Sequence, residues 1–174
     1  ANIPYNITGA ILKKFLSSLE QPERMILLVQ KEVAERIVAR DNKESILSLS
    51  VKVYGIPKYI MKVSKRFFSP SPKVDSAIIA IKDISHKNFN TKNDENIFFE
   101  LIKTGFAHKR KILRKNLESL KIERTKEVEP SSSAGMLPKI DEIFGKLKID
   151  PKSRAEDINF KNWLLISQNL STKI

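Results

Sequence analysis

Four residues near the start of the sequence, Asn2-Ile3-Pro4-Tyr5, have types and spacing suited to chemistry on a nucleic-acid base. The exocyclic amine of adenine is a poor nucleophile because its lone pair is delocalised into the ring. Two hydrogen-bond acceptors on its hydrogens would draw the nitrogen toward tetrahedral geometry. The Asn2 side-chain oxygen can supply one acceptor and the Pro4 carbonyl the other, while Tyr5 can stack on a flipped-out base. An ordinary turn with no chemical role is the alternative.

A proline-rich segment over 67–76, Phe-Phe-Ser-Pro-Ser-Pro-Lys-Val-Asp-Ser, supplies a second aromatic group. Rigid prolines could hold Phe68 against the second face of the same base, which would form a sandwich with Tyr5. Phenylalanine is usually a core residue, so the alternative is that Phe67 and Phe68 both lie in the core beneath a loop.

A third segment, over 106–117, combines an apolar seam with concentrated positive charge. On a helix, Lys111, Arg114 and Lys115 have the i, i+3, i+4 spacing of a single face, which would suit contacts with the phosphates of folded RNA. The alternatives are a solvated helix face and, with less support from the apolar residues, an amphipathic membrane helix. The predicted RNA-binding residues are Lys109, Arg110, Lys111, Arg114 and Lys115.

The composition of the 174-residue chain favours a polyanionic partner. Lysine and arginine number 32 against 20 aspartate and glutamate residues, which gives a formal net charge of +12. Nucleic acid is the first such partner and an anionic membrane the second. A compositionally biased genome, which enriches lysine and isoleucine, is the alternative explanation.

The composition also disfavours several classes of site and location. Cysteine is absent and His86 and His108 lie far apart, so we expect neither a disulfide nor a metal site. The longest apolar run, over 25–29, is far too short to span a bilayer, and the first residues lack the layout of a secretory signal. We therefore expect a cytoplasmic protein with no membrane partner.

The elements that must position these residues alternate between helix and strand in the first half of the chain, which predicts an α/β sheet. Gly55 and Pro57 are expected to end the fourth element. In chain order the predicted elements are a helix over 11–19, a strand over 25–29, a helix over 31–39, a helix or strand over 45–53, and strands over 59–63 and 74–84.

The composition changes near residue 85. Residues 86–96 are polar and predict a linker, although Thr91-x-x-Asp94 within it is a helix-start pattern. Beyond it, apolar residues follow helical spacing only, with a serine-rich loop at 130–135. The chain is therefore predicted to hold an α/β domain over 1–85, a linker over 86–96 and a helical domain over 97–174.

Taken together, these segments resemble the ribosomal RNA adenine dimethyltransferase family of the KsgA type. Sister enzymes that methylate large-subunit RNA, and related mitochondrial transcription factors, share part of the pattern, but Arg154-Ala155-Glu156 in the helical tail favours the small-subunit type. The matching segments are 2–6, 29–36, 68–76, 106–117 and 149–156.

The resemblance implies a partial Rossmann-like methyltransferase sheet followed by a small all-helical domain. It implies S-adenosylmethionine as methyl donor, and as target two adjacent adenosines near the 3′ end of the small-subunit ribosomal RNA, in the immature small ribosomal subunit. It makes Asn2 the acceptor that also borders the cofactor, Pro4 the second acceptor, and Tyr5 and Phe68 the stacking residues. Ile3 replaces the family's usual leucine, with little expected effect.

One departure concerns the cofactor. The family has a glycine-rich loop and an acidic residue that hold the donor, whereas the five glycines of this chain are isolated. The chain is therefore expected to be the carboxyl-terminal portion of such an enzyme, to bind RNA weakly, and to be inactive alone. A non-catalytic RNA-binding or ribosome-assembly module is the main alternative. A DNA adenine methyltransferase is disfavoured by the longer carboxyl-terminal matches.

Overall fold

The computed structural model describes residues 1–121 and 136–171, and the chain divides into two compact units. The first unit comprises Ala1–Asp41 and Leu47–Asn88, and the second comprises Asn42–Ile46 together with the residues from Phe89 onward. Every strand of the described residues lies in the first unit, while the described part of the second is helical. The loop predicted over 130–135 lies outside the described residues.

A sheet of three antiparallel strands forms the centre of the first unit: β1 (Met25–Gln30), β2 (Ile56–Val63) and β3 (Ser76–Lys82). The order is β1-β3-β2, so β3 is paired on both sides. Gln30 at the end of β1 and Val63 at the end of β2 both lie opposite Ser76, the first residue of β3. Three segments that are distant in sequence therefore meet at one end of the sheet.

One face of this sheet is the core of the first unit. Leu27 and Val29 alternate with more exposed residues along β1, and Ile79 and Ile81 lie fully buried on β3. This period of two is the pattern expected for a strand with one covered face. The helices of this part of the chain are α1 (Thr8–Leu16), α2 (Lys31–Val38) and α3 (Ile46–Lys52).

The sequence predictions for this unit need two refinements. The segment over 45–53, predicted as a helix or a strand, is the helix α3. The strand predicted over 59–63 begins earlier, at Ile56, so Pro57, which follows the end of α3 as predicted, lies within β2 opposite Ile81. β2 is an edge strand of the described sheet, where the missing amide donor of proline is tolerated.

The described part of the second unit is a cluster of helices around Trp163. The indole is fully buried, and its Nε1 donates to the Ala155 carbonyl at 3.3 Å. Its ring stacks on Phe106, with 5.6 Å between the centroids. The α-helices are α4 (Lys92–Gly105), α5 (Leu113–Asn116), α6 (Met136–Leu147) and α7 (Phe160–Ser171).

The linker predicted over 86–96 is wrong in its second half, because α4 already begins at Lys92. The Thr91 side chain accepts from the Asp94 amide at 3.2 Å, and the Asp94 carboxylate accepts from the Thr91 amide at 2.9 Å. This reciprocal capping box satisfies amides that the first helical turn leaves unpaired, so the helix-start pattern outweighs the polar composition.

Candidate functional site

The first sequence-predicted site residue, Asn2, lies beside the end of β1. Asn2 forms an isolated parallel bridge with Leu28, and the Leu28 amide donates to the Ala1 carbonyl at 3.0 Å. Ile3 is buried, whereas Asn2 and Pro4 on either side of it are exposed. The buried isoleucine thus anchors the segment and leaves the neighbouring polar groups accessible. An apolar residue is what this anchor requires, so isoleucine can replace leucine there.

The Pro4 carbonyl already has one hydrogen-bond partner within the chain. It accepts from the Ile7 amide at 3.2 Å, which closes the short 3₁₀ helix Tyr5–Ile7. The Thr8 hydroxyl, which is buried, donates to the Tyr5 carbonyl at 3.1 Å. A carbonyl oxygen has two lone pairs, so Pro4 retains capacity for one further donor. Its suitability as the second acceptor therefore stays a prediction.

Tyr5 is tied to the start of β3 by a contact that the sequence did not indicate. Its hydroxyl lies 2.5 Å from Oγ of Ser76, which is 71 residues away in sequence. Ser76 is fully buried, so the serine hydroxyl has a fixed environment, while Tyr5 is half-buried. The bond joins the Asn-Ile-Pro-Tyr segment to the last residue of the proline-rich segment. A buried serine at a strand start is the signal that could have suggested a partner.

Asp75, which precedes that serine, holds the proline-rich loop and the end of β1. Its carbonyl accepts from the Lys31 amide at 3.0 Å, and its carboxylate accepts from the Lys65 amide at 3.0 Å. Its other carboxylate oxygen lies 2.8 Å from the Lys62 ammonium. The hydrogen bond from Lys62, and then that from the Lys65 amide, lower the pKa of Asp75 below its ordinary value. The Asp75 carboxylate therefore has a structural role, since it links the loop to β2.

The two neighbouring phenylalanines of this loop have different environments. Phe68 is half-buried, and its amide donates to the Lys65 carbonyl at 3.2 Å. Phe67 is 69% exposed, so the alternative that places both rings in the core is wrong for Phe67. The structure places Tyr5 and the loop that carries Phe68 at the same end of the sheet, through Ser76. The base sandwich between Tyr5 and Phe68 stays a prediction.

The basic segment in the second unit is a turn for most of its length, which corrects the predicted helix. Residues 107–111 are exposed and non-helical, and the helix α5 begins only at Leu113. The i, i+3, i+4 face that includes Lys111 therefore does not exist. The cause is tertiary packing: Gly105 at the end of α4 lies against Trp163 and Leu113, and the chain turns there.

Asn116, to which no role is assigned from the sequence, holds this turn in place. Its buried side-chain amide donates to the Gly105 carbonyl at 2.6 Å and to the His108 carbonyl at 3.1 Å. The His108 carbonyl also accepts from the Lys111 amide at 3.0 Å. The turn that carries Lys109, Arg110 and Lys111 is therefore closed by internal hydrogen bonds.

Arg114, one of the predicted RNA-binding residues, makes a bidentate pair with Asp141 on α6. Nε lies 2.6 Å and an Nη atom 2.7 Å from the two carboxylate oxygens. The hydrogen bonds from Arg114 lower the pKa of Asp141, and the same contact raises the pKa of the guanidinium. Part of the positive charge of the basic segment is therefore paired with a carboxylate of the protein itself. Lys115 is exposed, and RNA binding by this segment stays a prediction.

The segment over 149–156 has a structural role in the second unit. The Asp150 carboxylate accepts from the Lys152 amide at 2.8 Å, which stabilises a turn. The Ser153 carbonyl next to it accepts from the Leu113 amide at 2.8 Å. Since Ala155 also accepts from Trp163, this segment connects the start of α5 with the helical core.

The described residues form neither a metal-ligand cluster nor a membrane-spanning helix. Within 1–121 and 136–171, no group of three or more histidine, cysteine or acidic side chains is arranged to hold a metal ion. Over the same ranges, none of the helices has the length and apolarity that crossing a membrane would require.

Two curated proteins similar to this chain are both called ribosomal RNA small subunit methyltransferase A. The one from Fusobacterium nucleatum is 36% identical over 165 residues, which cover 94% of this chain and 58% of the relative. The one from Nostoc punctiforme is 37% identical over 180 residues, which cover 98% of this chain and 57% of the relative. The chain therefore spans little more than half the length of these relatives.

Solved structures share the fold. The 23S rRNA methyltransferase ErmE superposes with a TM-score of 0.72 at 19% identity, covering 97% of this chain and 63% of that one. A dimethyladenosine transferase from Plasmodium falciparum gives a TM-score of 0.78 at 23% identity, with 99% and 66% covered. The fold is a partial Rossmann-like methyltransferase sheet with a helical part. Since the family model described as ribosomal RNA adenine dimethylase matches residues 1–166, this chain belongs to that family.

Proposed function

We propose that this chain provides the target-base site and part of the RNA surface of an enzyme that dimethylates adenosine in ribosomal RNA. The observation that carries the proposal is the hydrogen bond between Tyr5 and Ser76. Together with the hydrogen bond from the Lys31 amide to the Asp75 carbonyl, it gathers the segments 2–6, 29–36 and 68–76 at one end of the sheet. Loops at the ends of strands in α/β proteins are where ligands commonly bind.

Each residue of this end has a distinct role in the proposal. The exposed Asn2 side-chain oxygen accepts one hydrogen of the target amine, and the remaining lone pair of the Pro4 carbonyl accepts the other. Both acceptors favour a nitrogen with a localised lone pair, so they stabilise the transition state more than the bound base. Tyr5, held at its hydroxyl by Ser76, stacks on one face of the base, and Phe68 covers the other.

The proposed methyl donor is S-adenosylmethionine. When bound, it supplies an electrophilic methyl group. The Asn2 side chain fits one border of such a donor because it is exposed and its amide group can both donate and accept a hydrogen bond. The five isolated glycines do not form the glycine-rich loop that would hold the rest of it. The 174-residue chain alone is therefore proposed to be inactive.

The proposed target is the pair of adjacent adenosines near the 3′ end of small-subunit ribosomal RNA, in an immature small subunit in the cytoplasm. The exposed basic residues of the second unit would contact its phosphates, which suits the net charge of +12. The competing proposal is a non-catalytic RNA-binding or assembly module. The three convergent segments favour the enzyme, because phosphate binding alone needs no acceptors directed at a base.

The test compares methyl transfer with RNA binding. In the protein as its gene encodes it, Asn2→Ala should slow radiolabel transfer to immature small subunits by on the order of 100-fold, as for other preorganised polar groups in active sites. RNA affinity should change little. Equal losses in both assays would contradict the catalytic role. Tight donor binding and full dimethylation by the 174-residue chain alone would contradict its inactivity.

A further inference from the structure

An arginine and an exposed phenylalanine form a pair that the proposed chemistry does not use. The guanidinium of Arg66 lies over the ring of Phe67, 5.0 Å from its centroid, and the ring is 69% exposed. The ring is therefore presented to solvent with a cation against it, an arrangement in which the ring quadrupole attracts the guanidinium. Arg66 and Phe67 are called here the stacking pair.

The loop that carries the stacking pair is organised by several internal bonds. The Lys65 amide donates to the Asp75 carboxylate at 3.0 Å, and the Lys65 carbonyl accepts from the Ser71 hydroxyl at 3.1 Å. The Phe67 amide donates to the Ser64 carbonyl at 3.1 Å. These bonds hold the short 3₁₀ helix Lys65–Phe67, so its backbone is ordered before any ligand binds. Preorganisation of this kind reduces the entropy lost on binding.

The charge around the stacking pair is positive. Lys65 and Lys73 are exposed on the same loop. The nearby carboxylate of Asp75 is already paired with Lys62, so it offsets little of this charge. An aromatic ring beside an arginine, on a loop that also carries two exposed lysines, is suited to a ligand that has both a flat π-face and a negative charge. An unpaired nucleotide has both, whereas an apolar protein surface lacks the charge and a duplex lacks an accessible base face.

We infer that the stacking pair binds an unpaired RNA nucleotide next to the target base. The base stacks on the Phe67–Arg66 surface, and the phosphates are bound by Arg66 and Lys65. The inference rests on the proposed function, since it takes RNA as the ligand, but it adds a site distinct from Tyr5 and Phe68. The hydrogen bond of Lys65 with Asp75 and that of Tyr5 with Ser76 attach the two sites to adjacent residues, Asp75 and Ser76, at the start of β3.

The test measures binding of the 174-residue chain to a fluorescent single-stranded RNA and to a duplex of equal length. Phe67→Ala should weaken single-strand binding roughly 5- to 150-fold, since stacking of a base on an aromatic ring contributes about 1–3 kcal/mol. Phe67→Tyr should retain the affinity, and duplex binding should change little. Phe15→Ala is the matched control, because Phe15 is 43% exposed in the same unit and follows two exposed lysines.

A second measurement separates stacking from charge. Arg66→Gln should reduce the slope of log affinity against log salt by about 0.7, the value for one phosphate on a single strand. An indole introduced by Phe67→Trp should be quenched by single-stranded RNA, while Trp163 is buried. RNA binding without this quenching would overturn the stacking site and leave the methylation proposal standing. A Phe67→Ala variant that matches the Phe15→Ala control, or an unsubstituted chain that binds no single strand, would also overturn it.

Discussion

Replacing Asn116 with alanine tests how the basic turn is held. Asn116 is 2% exposed, and its amide donates to the Gly105 carbonyl at 2.6 Å and to the His108 carbonyl at 3.1 Å. Each lost hydrogen bond removes about 1 kcal/mol net, and an acceptor left buried without a partner adds to the loss. We therefore expect Asn116→Ala to lower the free energy of unfolding of the second unit by about 2–4 kcal/mol.

The single tryptophan makes this change measurable within one unit. Trp163 is fully buried in the second unit, so its fluorescence during urea unfolding reports on that unit. Limited trypsin digestion measures the turn directly, because cleavage after Lys109, Arg110 or Lys111 requires that it open. In Asn116→Ala the urea midpoint of unfolding should fall, and trypsin cleavage in the turn should become faster.

The matched control is Asn169→Ala on α7. The Asn169 side-chain amide donates a hydrogen bond to the Leu165 carbonyl at 2.9 Å, in a partly buried setting. Its loss should lower the free energy of unfolding by about 0.5–1.5 kcal/mol, without faster cleavage in the turn. Equal stability and equal cleavage in Asn116→Ala and the wild type would refute the role of Asn116. Lower stability with unchanged cleavage would show that Asn116 contributes packing only.

Three further sets of substitutions test separate contacts by thermal or urea unfolding. Tyr5→Phe and Ser76→Ala should each lower the free energy of unfolding by about 1 kcal/mol. The double variant should lose less than the sum because both substitutions break one shared bond, and additive losses would contradict that bond. Gly105→Ala should destabilise by about 1–3 kcal/mol because its methyl would overlap neighbouring side chains. Gly145→Ala, with open space around it, should be neutral or stabilising. Because its pairing lowers the pKa of Asp141, the ion pair stabilises the fold above about pH 4, and this stabilisation is lost as the pH falls through the folded-state pKa. Asp141→Asn should therefore lower the Tm at neutral pH but not in acid.

The elements that the sequence predicted correctly are those determined by local patterns. The apolar run over 25–29 became β1, and the helical spacing over 31–39 became α2. The capping pattern at Thr91 marked the start of α4 more accurately than composition did. Local propensity, capping and periodicity act over a few residues, so a single sequence contains enough information to place them.

The features that the sequence could not predict depend on contacts between distant residues. The bond from Tyr5 to Ser76 joins residues 71 positions apart, and nothing in either segment specifies the other. The basic segment has helical spacing, yet the packing of Gly105 against Trp163 ends the helix before it. Arg114 looks like a free cation in the sequence and is paired only because α6 brings Asp141 to it.

In each unit, the segment that carries exposed basic residues is held in place by hydrogen bonds within that same unit. In the first unit the carboxylate of Asp75 fixes the loop that presents Arg66, and in the second the amide of Asn116 fixes the turn that presents Lys109–Lys111. Neither set of bonds involves the other unit. We therefore expect each unit to keep its own proposed phosphate contacts when the other is altered, and the salt dependence of RNA binding to be the sum of two terms. Substituting the cations of one unit should lower the slope of log affinity against log salt by the contribution of that unit only. The two contributions can then be separated in one polypeptide.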